Sequence, residues 1–368
     1  MKKIHSIIIA ESFDENGLGL PKAALKFTEN LPDEVEVDAS ISFQKLGVSS
    51  PRLNQRFVNG NFISKKFLWP IGLMKIISNL KPDIVHFHGI WTSAICSIPY
   101  IKNLGCKVII SPHGQFDNEV MRNNWLRKRL LFYTLFGASM SEANMFHVLN
   151  QYEMNRVIEF MGPRIHTKII PNGIDAPSFQ NDESKDLSIK KILYCGQFHH
   201  RKNILRLLQA WQRCCGDINC ELHIAGDGIG SYSDRVKSEI KKIPKVYYHG
   251  YVTGLQKDKL YRSCHFGILV SRGEGQSLAV LESLAYGNPC IISEECRMPI
   301  VANTGIGWVV STDLQLDKAI RTASIMKPSE YLEMSRTAMK FIHDHHRWPI
   351  VGNTMSRTYH NIVDGVFE

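Results

Sequence analysis

The chain holds no apolar run that approaches the roughly 20 residues needed to cross a bilayer as a helix. None of its nine cysteines stands in C-x-x-C spacing, which argues against a zinc ribbon and against a thioredoxin-type redox pair. No period recurs along the 368 residues and no low-complexity tract interrupts them, so a solenoid is excluded. No D-x-D stands in a convincing metal-binding loop. What is present is ordinary for a globular protein, with 44% hydrophobic and 21% charged residues, and the length suits two α/β domains better than one core. The opening Met1–Ala10 resembles a leader only superficially. Its apolar stretch is short and Glu11, Asp14 and Glu15 follow at once, so it reads as a first strand. Cys96, Cys195, Cys264 and Cys290 sit in apolar contexts as small hydrophobes, which predicts a reducing, cytoplasmic setting.

The formal net charge of +9 is shared between the two halves and names no partner. A local cluster says more. Arg122, Arg127, Lys128 and Arg129 surround Trp125 and precede Leu130–Phe136, and no acid occurs between Met121 and Ser141. A basic helix with an aromatic and an apolar face suits an anionic membrane surface, and equally a helix packed on its own domain with a solvated basic edge. No nucleic-acid-binding module is visible, so nucleic acid is not expected as a partner.

Short β-branched runs alternate with amphipathic stretches, the pattern of parallel sheets covered on both faces. Strands are predicted at Ile4–Ala10, Val35–Ser42, Ile84–His88, Lys107–Ser111, Met145–Leu149 and Lys168–Pro171, with helices at Ser93–Leu104 and Gln151–Met161. The alternation restarts at Lys191–Gly196 and continues with strands Glu221–Ala225, Val246–Gly250, Phe266–Val270 and Cys290–Ser293. Between the halves, Pro171-Asn-Gly-Ile-Asp175 and the polar Gln180–Ser188 break the periodicity with turn formers. The reading is therefore an α/β chain of two Rossmann-like domains, 1–171 and 189–345, joined by a linker at 172–188. A helical tail at 346–368 follows. Ligands of such sheets bind beyond the carboxyl ends of the strands.

The most informative stretch is Glu274-Gly-Gln-Ser-Leu-Ala-Val-Leu-Glu282, followed by Ser-Leu-Ala-Tyr-Gly287-Asn-Pro289. One carboxylate stands in a glycine-containing loop and a second inside a short helix that Gly287 and Pro289 end. The N–H groups that open such a helix attract phosphate, so two hydroxyl-binding acids would stand beside phosphate donors. Upstream, Gly196-Gln-Phe-His-His-Arg201-Lys202-Asn203 links a strand to an amphipathic helix with apolar residues at 204, 207, 208 and 211. Asn203 is the predicted N-cap, and two cations stand at that helix mouth.

These motifs resemble the donor site of retaining glycosyltransferases of family four, the "glycosyl transferases group 1", which carry E-x7-E at this place in a GT-B fold. The Pro171–Asp175 sequence also resembles the hinge that family uses. The resemblance implies two Rossmann-like domains facing across a cleft: an N-terminal acceptor domain, a C-terminal nucleotide-sugar domain, and a last helix returning to the first. It implies a hexosyltransferase that moves a sugar from a nucleoside-diphosphate sugar with retention and needs no metal or other cofactor. Glu282 would grip the ribose hydroxyls and Glu274 the donor sugar. Arg201 and Lys202 would neutralise the leaving diphosphate, aided by the backbone at Gln276, Ser277, Leu278 and Ala279. Lys202 stands at the lysine of the family's G-R-x4-K-G clamp, whereas Gln197 replaces its arginine and Asn203 its glycine; Gln276 and Ser277 stand where Phe and Gly are frequent.

Further residues follow from the same likeness. His113, in Ser111-Pro-His-Gly-Gln115, would orient the sugar near its hydroxymethyl end, and His88, in His86-Phe-His-Gly-Ile-Trp91, would line the acceptor side. Gly17 and Gly19 would let the backbone approach the donor, although Lys22 breaks any G-x-G-x-x-G fingerprint. Gly196 and the backbone at Tyr251 and Val252 would border the diphosphate and the base, and Ala225-Gly-Asp-Gly228 would border the nucleotide. His343-Asp-His-His346 lacks a second ligand group and is not read as a metal site. The implied role is surface-polysaccharide synthesis (O-antigen, capsule or exopolysaccharide) on a glycan, read as lipid-linked, at the inner membrane face. A catalytically silent subunit and a sugar-nucleotide epimerase are the alternatives.

Overall fold

The computed structural model describes residues 3–13, 19–43, 55–57, 71–122, 124–177 and 185–366. It divides into two units, residues 1–173 with 348–368, and residues 174–347.

In the first unit seven parallel strands are ordered β3-β2-β1-β4-β5-β6-β7. They are β1 (Ile4–Ala10), β2 (Val35–Ser42), β3 (Gln55–Phe57), β4 (Ile84–His88), β5 (Lys107–Ser111), β6 (Met145–Val148) and β7 (Thr167–Ile169). Side chains alternate across a strand, so each strand feeds two cores. Val85, Phe87, Val108, Ile110, Phe146 and Val148 pack on one face with Leu73, Ile77, Ile98, Ile101 and Met140 from the covering helices. Ile84, Ile109 and Met145 face the other way, onto Ala24 and Phe27 of the helix Leu20–Glu29 and onto Trp348, Val351, Met355 and Tyr359 of the helix Trp348–Val363. The same parity sends His86, His88, Ser111 and His147 to that second face, where they are all buried.

The second unit is a six-stranded parallel sheet ordered β10-β9-β8-β11-β12-β13. Its strands are β8 (Lys190–Cys195), β9 (Cys220–Ala225), β10 (Val246–Gly250), β11 (Phe266–Leu269), β12 (Cys290–Ser293) and β13 (Gly307–Val310). The helix Ile204–Cys214 buries Ile204, Leu207, Leu208 and Trp211, the predicted stripe. Its start differs from expectation. Asn203 is the N-cap residue but adopts φ 53°, and its side chain makes no capping bond, because the preceding turn His200–Lys202 ends there in the left-handed conformation. By contrast, Ser277 caps the helix Leu278–Ala285 through its hydroxyl, which accepts from Val280 N at 3.4 Å, and Gly287, at φ 71°, lies just past its end.

β3 and β13 are additions to the predicted strands. Among the described residues, no helix is long and apolar enough to cross a membrane. The nine cysteines are all free thiols, and Cys96 and Cys195 are only partly buried.

Candidate functional site

In the second unit the order reverses at β8, which lies between β9 and β11, and the chemistry-bearing loops leave the carboxyl ends of those strands. After β8, the Gly196–Phe198 loop packs directly on Gly226–Gly228. Gly196 N donates to Ala225 O, and Phe198 N donates to Asp227 O. A Cβ at Gly226 would stand 1.8 Å from Gly196 O, and one at Gly228 would stand 2.4 Å from Phe198 O. Close approach of two backbones, more than turn formation, requires those glycines.

Lys202 and Glu274, from loops after β8 and β11, meet as an ion pair with Nζ 2.7 Å from Oε1. The Ser271 hydroxyl donates to the same oxygen at 2.6 Å, and Glu274 N donates to Glu295 O at 3.0 Å. One carboxylate oxygen is thus anchored, while Oε2 makes no hydrogen bond among the described residues. Arg201 sends Nη2 back to Gly273 O at 2.9 Å and its Nε is buried without a partner. It ties the 272–274 loop to the turn, so one arm of its guanidinium is already committed. Gln197, the substituted clamp position, is exposed.

Glu282 projects from Leu278–Ala285 and is held by two residues that the sequence reading did not single out. Lys257 Nζ lies 2.7 Å from Oε1 and 2.6 Å from Oε2, and Tyr261 OH donates to Oε2 at 3.0 Å. Lys257 and Tyr261 stand one turn apart on the helix Gly254–Ser263, and Tyr261 stacks on Tyr286 with ring centroids 5.1 Å apart. Burial pulls the Lys257 ammonium down, and Glu282 more than offsets this, leaving it above its usual value. Burial likewise pushes the Tyr261 phenol well up, so it is a neutral donor. Their i, i+4 spacing was legible, but nothing in it pointed to Glu282. Leu278 and Ala279 supply N–H groups at the start of the helix that have no intrahelical acceptor. Tyr251 is exposed after β10, and Val252 packs beside Leu260 and Tyr261.

The first unit has its own cluster at the carboxyl ends of β4, β5 and β6. Tyr359 OH lies 2.7 Å from His86 Nδ1, and His86 Nε2 lies 2.6 Å from Ser111 Oγ. Ser111 Oγ lies 2.6 Å from His147 Nδ1, and His147 Nε2 lies 2.7 Å from Ile170 O. His88 Nδ1 lies 2.8 Å from His113 Nε2. Burial, reinforced by neighbouring imidazoles, holds His86 and His88 well below the ordinary range and His113 at about 3; burial holds His147 at about 4. All four are neutral at pH 7.

His113 carries the left-handed φ of 52°, uncommon for a side chain of its size, and Gly114 follows at 75°. Glu153, also missed in the sequence, fixes this turn. It is buried and accepts from Gly114 N through Oε1 and from Leu149 N through Oε2 at 2.7 Å. His88, expected on the acceptor side, is 2% exposed and turned onto His113. Gly19 is exposed and precedes the helix Leu20–Glu29; Gly17 lies outside the described residues.

The basic segment is helical in pieces, Asn118–Arg122, Trp125–Leu131, a π-helical turn Phe132–Phe136, and Gly137–Ser141. Arg122, Arg127 and Arg129 are exposed. Lys128 instead turns inward, bonding Val120 O and lying 5.5 Å from the Trp91 ring centroid. The side chain of Trp125 lies outside the described residues. His343 pairs with Asp344 at the end of the helix Pro328–His345. The one grouping of three metal-ligating side chains among the described residues is His5, Glu36 and Asp38. It sits at the amino end of β1 and β2, opposite the strand ends that carry the histidine cluster of the same unit, and Lys3 already pairs with Glu36 at 2.9 Å.

Residues 189–323 match the family described as Glycosyl transferases group 1, and residues 32–177 match Glycosyltransferase Family 4. An uncharacterized glycosyltransferase of Methanocaldococcus jannaschii is 21% identical over 79% of this chain and 75% of its own length. Alpha-monoglucosyldiacylglycerol synthase of Streptococcus pneumoniae is 23% identical over 59% of this chain and 53% of its own. Among solved structures, sucrose-phosphate synthase of Thermosynechococcus elongatus superposes with TM-score 0.79 at 15% identity, covering 98% of this chain and 100% of that one. Anabaena HepE in complex with UDP and glucose superposes with TM-score 0.72 at 13% identity, covering 96% and 99%. The chain belongs to the family-four glycosyltransferases and has their two-domain α/β GT-B fold.

Proposed function

We propose that this chain transfers a sugar, with retention, from a nucleoside-diphosphate sugar to a glycan acceptor, without a metal ion. The observation that carries the reading is the pairing of Lys202 with one oxygen of Glu274 while the other oxygen stays available, in the loop that leads into the helix Leu278–Ala285. A carboxylate anchored on one side can accept from sugar hydroxyls on the other. Lys202, Arg201 and the first-turn N–H groups supply positive potential where a leaving diphosphate gathers charge, a term often worth several kcal/mol in the transition state. Glu282, fixed by Lys257 and Tyr261, is preorganised to accept from ribose hydroxyls. His113 would orient the sugar. In this reading the departing phosphate takes the acceptor's proton and attack comes from the same face, so no separate base is required. The solved complexes of HepE with UDP and with UDP-glucose support a nucleotide-sugar donor.

The acceptor is read as a lipid-linked glycan of surface-polysaccharide assembly, met at an anionic membrane face. Leu126, Leu130 and Tyr133 are 66, 64 and 69% exposed beside Arg122, Arg127 and Arg129, which supports that reading. The donor half is tested by calorimetric titration with UDP, GDP, ADP and their common sugar conjugates, with Glu282→Ala as control. Selective binding of one nucleotide that the substitution abolishes is the expected result; binding of none would overturn it.

A further inference from the structure

The buried polar chain in the first unit has a direction, and one carbonyl sets it. Ile170 O can only accept, so His147 Nε2 carries the proton. His147 is neutral, so its Nδ1 accepts and the Ser111 hydroxyl donates. The Ser111 oxygen then accepts from His86 Nε2–H, which leaves His86 Nδ1 as the acceptor for Tyr359 OH. Every polar atom along this line is satisfied, and none can reverse without leaving a buried group unpaired.

The neighbouring pair His88 and His113 stands outside that line. With 2.8 Å between Nδ1 and Nε2, 5.0 Å between centroids and 23° between planes, the rings lie edge to edge, the geometry of an in-line hydrogen bond. One proton occupies that bond, and two assignments exist. If His113 donated, neutral His88 would carry its own proton on Nε2, an N–H buried with no partner. If His88 donates from Nδ1, its buried Nε2 is only a bare lone pair. Orphaned buried N–H groups are rarer than under-satisfied acceptors. His113, receiving at Nε2, must then carry its proton on Nδ1, an atom that makes no hydrogen bond among the described residues.

We propose that His88 is a positioning residue that fixes His113 in the Nδ1–H form, so that His113 donates a hydrogen bond to a hydroxyl oxygen of the donor sugar. The sugar contact rests on the proposed function; the tautomer does not. The left-handed backbone at His113, clamped by Glu153, holds the ring in line with His88.

The test is imidazole 15N and 13C NMR on histidine-labelled protein, with His113 assigned by its loss in His113→Gln. Wild type is expected to report Nδ1–H at His113, and an Nε2–H form would overturn the proposal. In His88→Asn the amide nitrogen takes the place of Nδ1 and should keep the tautomer. In His88→Asp the carboxylate can only accept, so His113 should switch to Nε2–H. UDP-glucose is the binding probe, and His88→Asp should bind it about tenfold more weakly than His88→Asn. A tautomer switch with equal UDP-glucose affinity would overturn the donation to sugar while leaving the His88 assignment in place. Unchanged affinity in His113→Gln would do the same to the sugar contact itself.

Discussion

Lys257 reaches both carboxylate oxygens of Glu282, at 2.7 and 2.6 Å, from a different helix. Both side chains are largely buried, so removing either leaves a poorly solvated charge. Lys257→Met and Glu282→Ala are each expected to lower stability by about 1–3 kcal/mol. The double variant should lose less than the sum, because no unpaired charge remains. Urea denaturation of the four proteins gives the cycle, and simple additivity would show that the pair is not coupled.

Acid should destabilise the first unit. His86, His88, His113 and His147 have folded values depressed below the ordinary 6.5, so below pH 6.5 the unfolded chain takes up protons that the folded chain refuses. Their contribution is complete above 6.5 and is lost as pH falls, toward about 4 for His147 and about 3 for His113. Glu153 acts in the opposite sense. Burial raises it to about 7, so its contribution grows as pH falls from 7 toward 4.5. Four imidazoles outweigh one carboxyl, and each unmatched proton is worth about 1.4 kcal/mol per pH unit. The melting temperature should drop clearly between pH 7 and pH 5, and a flat or rising profile would contradict buried neutral histidines.

Glu153 accepts from two buried N–H groups, those of Gly114 and Leu149. Glu153→Ala should cost about 2–4 kcal/mol. Glu153→Gln should also destabilise, since its amide nitrogen would face one N–H with another. A loss under about 0.5 kcal/mol in either variant, by chemical denaturation, would refute the clamp.

The exposed apolar side chains of the basic segment should matter for lipid and not for folding. Co-sedimentation with phosphatidylglycerol-rich vesicles at low salt is expected for the wild type and weakened at least about tenfold in the double variant L126E/L130E. Unaltered melting would confirm that both side chains are dispensable to the core. A wild type that ignores such vesicles would remove the membrane reading.

The parallel strands were legible because burial on both faces leaves nearly continuous apolar runs, as in Ile84–His88 and Cys290–Ser293, where every residue is buried. β13 was not, since Gly307-Trp-Val-Val is short and follows turn residues. The acids Glu274 and Glu282 could be read because a known motif carries them. Lys257 could not, because the helix Gly254–Ser263 buries only Leu260 and Tyr261 and shows little periodicity. His86 and His147 were hidden for another reason. A histidine inside an apolar strand looks like a misfit until its partners from other strands and from Tyr359 are known, and those lie 25 to 273 residues away.

Synthesis on the ribosome is vectorial, and the first unit is discontinuous in the chain. Trp348, Val351, Met355, Tyr359 and Ile362 are translated only after the whole second unit, yet they fill one of the two cores of the first. Until they emerge, the nascent amino-terminal sheet exposes Ile8, Ile84 and Ile109 on that face, and His86 lacks its tyrosine. The second unit, contiguous from 174 to 347, is therefore free to fold before the one that precedes it.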